Sequence, residues 1–203
     1  MSAQPEYAFS EEQFDALREI ANIGMGKASS ALADLIGTTI LINVPQAVCV
    51  PISNLSNILR EPEQVTAGVY LQVTGDISGH AVFVFEVHSA QRLAGMLLGM
   101  PEAGLDETSA SVLMEIGNIM LSAYLTAISD FTGLVLLPSP PVMALDMGCA
   151  ILSAVIANMQ RLDDFAVTIA TDIYDPTGLI SGTFVFLPEP GGIHRILEAI
   201  GMV

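Results

Sequence analysis

The sequence contains very few positive charges. One lysine, Lys27, and five arginines stand against 22 acidic residues in a chain of 203, so the formal net charge is −16. Binding to nucleic acid depends on clustered cations that neutralise phosphates, and an anionic membrane surface repels a chain of this charge. We therefore expect neither nucleic-acid binding nor attraction to a membrane surface.

The sequence also lacks an apolar segment long enough to cross a bilayer. The longest apolar run, about Met147 to Met159, is too short. The first ten residues contain a glutamate and no lysine or arginine, unlike a secretory signal. With 52% hydrophobic and 14% charged residues, the chain can bury a sizeable core. We expect a compact, soluble, cytoplasmic protein without membrane insertion.

Cysteine and histidine are scarce, and no common enzyme motif is present. Cys49 and Cys149 lie in strand-like or core-like contexts, which favours buried reduced thiols over a disulfide or a metal pair. His80, His88 and His194 are scattered, and we interpret the first two as core or solvated side chains. The absence of an HExxH helix, an EF-hand loop and a GxSxG elbow argues against a metal site and against a serine hydrolase.

One glycine-rich stretch resembles a phosphate-binding loop only superficially. Residues 24–29 read GMGKAS, but the first glycine of such a loop and the hydroxyl residue directly after Lys27 are missing. The stretch also falls inside a predicted helix. We reject a phosphate loop and interpret Gly24 and Gly26 as positions of close helix packing.

What the chain does have is one pattern of four residues that occurs twice. An Asp or Ser is followed after four residues by Glu, after three more by Asn and after 23 more by Pro, and the two copies lie 96 residues apart. The copies are Asp15, Glu19, Asn22 and Pro45, and Ser111, Glu115, Asn118 and Pro141. Spacings of four and three place the polar groups on one face of a helix. A duplicated helix whose polar face only meets water would show the same pattern.

The order of predicted elements repeats as well. The first half is predicted as a helix (11–36), an extended segment (38–50), a short helix (54–59), a hairpin (65–74 and 79–87) and a helix (90–98). The second is predicted as a helix (107–132), an extended segment (134–147), a helix (150–160), two strands (165–174 and 182–187) and a helix (193–200). The hairpins are offset by 103, so we place about seven extra residues in the region 161–178.

This repetition predicts the architecture. No linker separates the halves, so we expect one α+β domain over residues 1–203, built from internal repeats at about 10–104 and 105–203. The two α/β halves are expected to be related by a pseudo-twofold axis and to share one β-sheet, each with a long helix that bears the motif.

A face that presents Glu beside Asn can act on a substrate that is activated elsewhere. A carboxamide both donates and accepts hydrogen bonds, so Asn can hold a water in line with a phosphorus atom while contacting a phosphoryl oxygen. Glu can pair with a lysine of a partner protein. Because the face has no cation of its own to offset phosphoryl charge, the substrate would have to bring Mg²⁺ and a labile phosphoryl group.

The doubled pattern resembles the CheC-type phosphatases of bacterial and archaeal chemotaxis (CheC, CheX and FliY). The first copy lies in FDALREIANIGMGKASSALADLIG, which is similar to the first helix of CheC, and the second lies in SASVLMEIGNIMLSAYLTAISDFTG. The resemblance covers nearly the whole chain. The length of the chain favours the CheC branch over FliY-like members, which carry an extra C-terminal domain. The doubled motif favours it over CheX-like members, which usually keep a single copy.

The resemblance implies a role in two-component signalling, the dephosphorylation of the phospho-aspartate of the response regulator CheY. Asn22 and Asn118 would orient the attacking water, and Glu19 and Glu115 would engage the regulator's active-site lysine. Mg²⁺ would belong to the regulator, so the chain is expected to need no cofactor of its own. The receptor deamidase CheD is implied as a second partner.

The remaining motif positions are expected to have supporting roles. Asp15 and Ser111 differ in kind, which can make the two sites unequal, and Pro45 and Pro141 are expected to shape the strand beside each helix. A chemotaxis adaptor that binds phosphorylated CheY or CheD without catalysis is the alternative. The lack of ligand clusters disfavours a metal-dependent small-molecule phosphatase. Since the chain contains both halves, we expect a monomer.

Overall fold

The computed structural model describes residues 9–43, 45–100, 103–159, 165–178 and 180–203, and of residues 165–167 the backbone alone. These residues form five α-helices, one 3₁₀ helix and eight β-strands. In chain order the elements are α1 (Glu11–Ile36), β1 (Leu41–Ile42), β2 (Gln46–Pro51), the 3₁₀ helix (Ile52–Ile58), β3 (Val65–Gly75), β4 (Gly79–Glu86), α2 (Val87–Leu98), α3 (Glu107–Thr132), β5 (Leu136–Pro138), β6 (Val142–Met147), α4 (Gly148–Ala157), β7 (Phe165–Tyr174), β8 (Ser181–Pro188) and α5 (Gly192–Ala199).

Helix α1 begins and ends where its capping residues predict. The backbone N–H of Gln13 donates to Ser10 Oγ at 3.2 Å, and the N–H of Ser10 donates to Gln13 Oε1 at 2.8 Å. This reciprocal pair satisfies two donors that a helix start leaves open. Gly37 follows the helix at φ 70°, a left-handed conformation that glycine adopts without strain. The predicted bounds of 11–36 are confirmed.

Helix α3 has the same length and comparable ends. The side chain of Asp106 accepts a hydrogen bond from the N–H of Ser109 at 2.9 Å, and such backbone donors lower the pKa of this carboxyl. Gly133 ends the helix at φ 74°. The expectation that no segment is long and apolar enough to cross a bilayer is wrong for α3, which alone among the described helices meets that condition by length and composition, although half of its apolar window is buried inside the fold.

All strand pairs of the sheet are antiparallel. The path runs β1-β7-β8-β4-β3-β5, with β2 beside β1 on β7 and β6 beside β5 on β3. Each half therefore contributes its two short strands to the long hairpin of the other half. This exchange makes the two halves one sheet, and the predicted α+β fold of two halves is confirmed.

The strand register relates the two halves. Val82 in β4 pairs with Val185 in β8, and these are equivalent positions of the two hairpins, 103 residues apart. At the edges, Leu41 pairs with Tyr174, while Leu137, the equivalent of Leu41, pairs with Thr74. A pseudo-twofold axis thus passes between β4 and β8 at the Val82 and Val185 pair.

Pro45 and Pro141 lie at the breaks between the short edge strands. Pro45 separates β1 from β2 and is buried, and Pro141 separates β5 from β6 and is half-buried. Proline cannot donate to a strand ladder and is tolerated at a sheet edge. Pro45 interrupts the predicted extended segment 38–50, which contains β1 and residues 46–50 of β2.

The sheet is covered on both faces. On β4, Ala81, Phe83 and Phe85 join a large core beneath α1, α2, α3 and α5, whereas Val82 and Val84 join a smaller one. The smaller core lies on the opposite face, beneath the 3₁₀ helix and α4. Because side chains alternate along a strand and each face of β4 meets a core, residues 81–85 are all apolar.

Several predicted details are wrong. The short helix predicted at 54–59 is a 3₁₀ helix at Ile52–Ile58, α2 begins directly after β4 at Val87, and α4 spans Gly148–Ala157. The end predicted for α4, residue 160, lies outside the described residues. Three of the extra residues of the second half lie between β7 and β8, where residues 175–180 replace a connection of three residues, 76–78.

The two cysteines are free, as predicted, but they are half-buried and not buried. Cys49 lies on the edge strand β2, and Cys149 lies in the first turn of α4. Edge strands and first helical turns keep one side open to solvent, which the apolar neighbours in the sequence do not reveal.

Candidate functional site: two Glu–Asn helix faces

The first motif lies on the outer face of α1. Glu19 and Asn22 are exposed, and neither side chain has a hydrogen-bond partner among the residues that the structure describes. Asp15 pairs with Arg18, with Oδ1 and Nη1 2.5 Å apart. The opposite face of α1 carries its buried residues: Leu17, Ile20, Ala21, Gly24, Met25, Ala28, Ser29 and Leu32. The helix thus turns Glu19 and Asn22 toward solvent with their polar groups available.

The second motif lies on the outer face of α3. Glu115 is exposed and Asn118 is half-buried, and neither has a side-chain hydrogen bond within the described part of the chain. The hydroxyl of Ser111 donates to the backbone carbonyl of Glu107 at 2.9 Å. Ser111 therefore bonds to its own helix, whereas Asp15 holds an arginine.

The two motif helices pack against each other on the same face of the sheet. A Cβ on Gly24 would lie 2.6 Å from Cδ2 of Tyr124, a residue of α3. The ring of Tyr124 therefore packs directly against the backbone of α1 at Gly24. Close packing at Gly24 is confirmed. At Gly26 the prediction is wrong, because nothing lies within 4 Å of an added Cβ. The carbonyl of Gly26 instead accepts hydrogen bonds from the hydroxyls of Ser29 and Ser30.

The residues of the GMGKAS stretch lie inside α1, so they do not form a phosphate-binding loop. Among the described residues, no three His, Cys, Asp or Glu side chains are grouped as metal ligands. A shallow cleft of about 260 Å³ lies on the other face of the sheet, between the 3₁₀ helix and α4. Neither motif face contributes a side chain to it.

A chain of buried polar side chains that no sequence pattern predicted lies on that other face. His80 is buried, its Nδ1 lies 2.8 Å from the hydroxyl of Tyr70, and its Nε2 lies 3.0 Å from Oε1 of Glu189. Since a carboxylate only accepts, Nε2 donates the proton in its contact with Glu189. Burial, and then the charge of Glu189, raise the pKa of Tyr70. Both histidines fall within the predicted alternatives of core or solvated side chains, since His80 is buried and His88 is exposed.

The arrangement of the two faces suits positioning chemistry. Each offers a carboxylate and a carboxamide one helical turn apart, and no group of metal-ligating side chains lies beside them among the described residues. Such a pair can orient a water and contact a lysine or a phosphoryl oxygen. It becomes an active site only when a partner supplies the activated group.

Comparisons with known proteins point to one family. The family model "CheC-like family" matches twice, at residues 12–49 and 109–144, and each match contains one Glu–Asn pair. CheY-P phosphatase CheC of Bacillus subtilis (strain 168) is 32% identical over 198 residues, which cover 94% of this chain and 95% of the relative.

Solved structures share the fold. Thermotoga maritima FliY superposes with a TM-score of 0.75 at 20% identity, over 96% of this chain and 98% of that chain. The CheX of a CheX–CheY–BeF3–Mg²⁺ complex from Borrelia burgdorferi superposes with a TM-score of 0.57 at 17% identity, over 83% and 96% of the two chains. The resemblance that the doubled motif predicts is confirmed, and the chain belongs to the CheC-like family.

Proposed function

We propose that this protein dephosphorylates the phospho-aspartate of the response regulator CheY. The observation that carries the proposal is that two helix faces each present an exposed glutamate beside an asparagine that no described side chain engages. The family supports it, because the CheC of Bacillus subtilis is named a CheY-P phosphatase and a CheX of the same fold was solved with CheY.

The role of the asparagines is to orient the attacking water. The carboxamide oxygen of Asn22 or Asn118 accepts a hydrogen bond from a water and aligns it with the phosphorus, while the amide N–H₂ contacts a phosphoryl oxygen. A bond forms between the water oxygen and phosphorus as the bond between phosphorus and the aspartyl oxygen breaks. The products are the regulator's carboxylate and inorganic phosphate, released as H₂PO₄⁻ with both protons of the attacking water.

The role of the glutamates is to dock the regulator. Glu19 and Glu115 pair with the regulator's active-site lysine, and this fixes the approach of the neighbouring asparagine, one turn along the helix. The charge that builds up on the phosphoryl oxygens is offset by Mg²⁺ of the regulator, so the metal belongs to the substrate protein. Pro45 and Pro141 lie at the breaks between the edge strands beside each helix and have a structural role.

The cellular setting follows from the same proposal. The protein acts in the cytoplasm as a monomer, on phosphorylated CheY and with CheD as a second partner, in chemotactic two-component signalling. It binds no nucleic acid and does not insert into a membrane, consistent with its net charge of −16.

Turnover distinguishes this proposal from an adaptor that only binds. Phosphorylated CheY would be mixed with the protein at one hundredth of its concentration, and phosphate release followed against regulator alone. We expect many phosphates released per protein molecule. If release follows the unassisted rate while the protein binds phosphorylated CheY in a titration, the protein is a non-catalytic adaptor.

A further inference from the structure

We propose that Arg18 is a binding residue that contacts the phosphorylated regulator and makes the α1 face bind it more tightly than the α3 face does. The inference rests on the proposed function, since it concerns how the same two faces receive the same partner. It assigns to the first motif position, Asp15, the task of holding this arginine.

Arg18 is poised on the motif face. Its Nη1 donates to Asp15 Oδ1 at 2.5 Å, and its side chain is 35% exposed while that of Asp15 is 71% exposed. A guanidinium carries five N–H donors in a planar fork. The other donors of Arg18 have no hydrogen-bond partner within the described residues. The Asp15 contact orders the fork and leaves these donors available.

The α3 face has no counterpart. Met114, 96 residues after Arg18, is half-buried and packs against the large core. Ser111 occupies in α3 the position that Asp15 has in α1, and its hydroxyl donates to the backbone carbonyl of Glu107. Ser111 would therefore not hold an arginine at position 114. The difference between the two copies is thus a paired change, in which the acid and the arginine occur together or not at all.

The expected difference in binding between the two faces is local and does not come from the net charge of each helix. Helix α1 has five acidic and two basic residues, and α3 has three acidic and no basic residues, so each has a net charge of −3. Of the two basic residues of α1, Arg18 lies one residue before Glu19, whereas Lys27 lies five residues beyond Asn22. The reach of the Arg18 fork is a few ångströms, within the screening length of about 8 Å at physiological salt.

The partner's chemistry fits such a fork. A phospho-aspartate site presents phosphoryl oxygens and carboxylates, and guanidinium binds both of these planar or tetrahedral anions with two parallel hydrogen bonds. A chain of net charge −16 meeting an anionic site needs attractive contacts at the point of docking. Arg18 supplies one on α1, and α3 relies on Glu115 and Asn118 alone.

The test isolates each face and measures KM and kcat for phosphate release from phosphorylated CheY. Asn118→Ala leaves the α1 face, and Asn22→Ala leaves the α3 face. In the Asn118→Ala protein, we expect Arg18→Met to raise KM about fivefold with little change in kcat. Arg18→Lys should recover part of the loss, because a single ammonium replaces the fork. In the Asn22→Ala protein, Ser111→Asp with Met114→Arg should lower KM.

A charge control and the remaining outcomes complete the test. Arg92→Met, on the exposed side of α2, removes the same charge elsewhere and should leave KM unchanged. An unchanged KM in Arg18→Met, or an equal rise in Arg92→Met, would overturn the inference while phosphate release still supports the proposed function. If neither single-face protein nor the wild type accelerates release, the proposed function fails, and that result is distinct from a change in KM.

Discussion

The ring of Tyr124 occupies the space that a side chain on Gly24 would need. An added Cβ would lie 2.6 Å from Cδ2 and 2.8 Å from Cε2 of that ring. Tyr124 is completely buried, and its ring also packs against those of Phe184 and Phe186, with centroids 4.9 Å and 6.0 Å away. The contact fixes how closely the two motif helices approach each other.

Substituting Gly24 tests this contact. Gly24→Ala gains helix propensity, about 0.5–1 kcal/mol, but forces a carbon into a buried ring that has no room to move, which typically costs about 1–3 kcal/mol. We expect a lower free energy of unfolding in urea. The matched control is Gly26→Ala on the same helix, which has open space and should be neutral or stabilising. Equal stability gains in both variants would contradict the packing described.

The hydroxyl of Tyr124 destabilises the packing between the same two helices. It is buried without a hydrogen-bond partner among the described residues. A buried polar group without a partner costs about 1–3 kcal/mol. Tyr124→Phe keeps the ring contacts and removes the hydroxyl, so we expect the free energy of unfolding to rise by about 1 kcal/mol. A loss of stability would show that the hydroxyl has a partner.

Alkaline pH should destabilise the protein through two tyrosines. Burial raises the pKa of Tyr124, and burial followed by the charge of Glu189 raises the pKa of Tyr70. The unfolded chain then releases these protons at lower pH than the folded chain does, so the stabilisation is complete below about pH 10 and is lost as the pH rises further. Urea titrations from pH 8 to 11 should show this decline. The decline should be smaller in Tyr124→Phe, and an identical pH dependence would contradict the assignment.

Local sequence signals were enough to predict most of the helices and strands and their repeated order. Ser10 with Gln13, and Gly37, placed both ends of α1, and the repeated order of elements predicted the symmetric halves. What the sequence did not show is which strands exchange partners. The pairing of β2 with β7 and of β6 with β3 depends on contacts between residues more than a hundred, or about eighty, positions apart. No periodicity or turn signal carries that information.

The candidate site was predicted only in part. The spacing of Glu19 and Asn22 placed both on one face, and the structure adds that this face is exposed. The pairing of Arg18 with Asp15 was not predicted, although a spacing of three on a helix permits it. The chain from Tyr70 through His80 to Glu189 was also missed, because Glu189 lies 109 residues away from His80.

The glutamates should affect docking more than folding. Glu19 and Glu115 are exposed, so replacing both with alanine should change the free energy of unfolding by less than about 0.5 kcal/mol. If they pair with the regulator's lysine, phosphate release should slow mainly through a higher KM. Glu198→Ala, an exposed site on α5, is the charge control. A double variant with unchanged KM would exclude the docking role.

The central claim is that the two asparagines position the attacking water. Asn22 is exposed and Asn118 is half-buried, and neither has a described hydrogen-bond partner, so alanine at both positions should leave the fold intact. A side chain that orients a reacting water contributes on the order of 10²-fold or more to rate.

The most direct measurement is phosphate release from phosphorylated CheY by wild type, Asn22→Ala, Asn118→Ala and the double variant, with folding of each checked by urea denaturation. We predict that each single variant keeps part of the activity and that the folded double variant falls to the rate of the regulator alone. Unchanged release by the double variant would contradict the account.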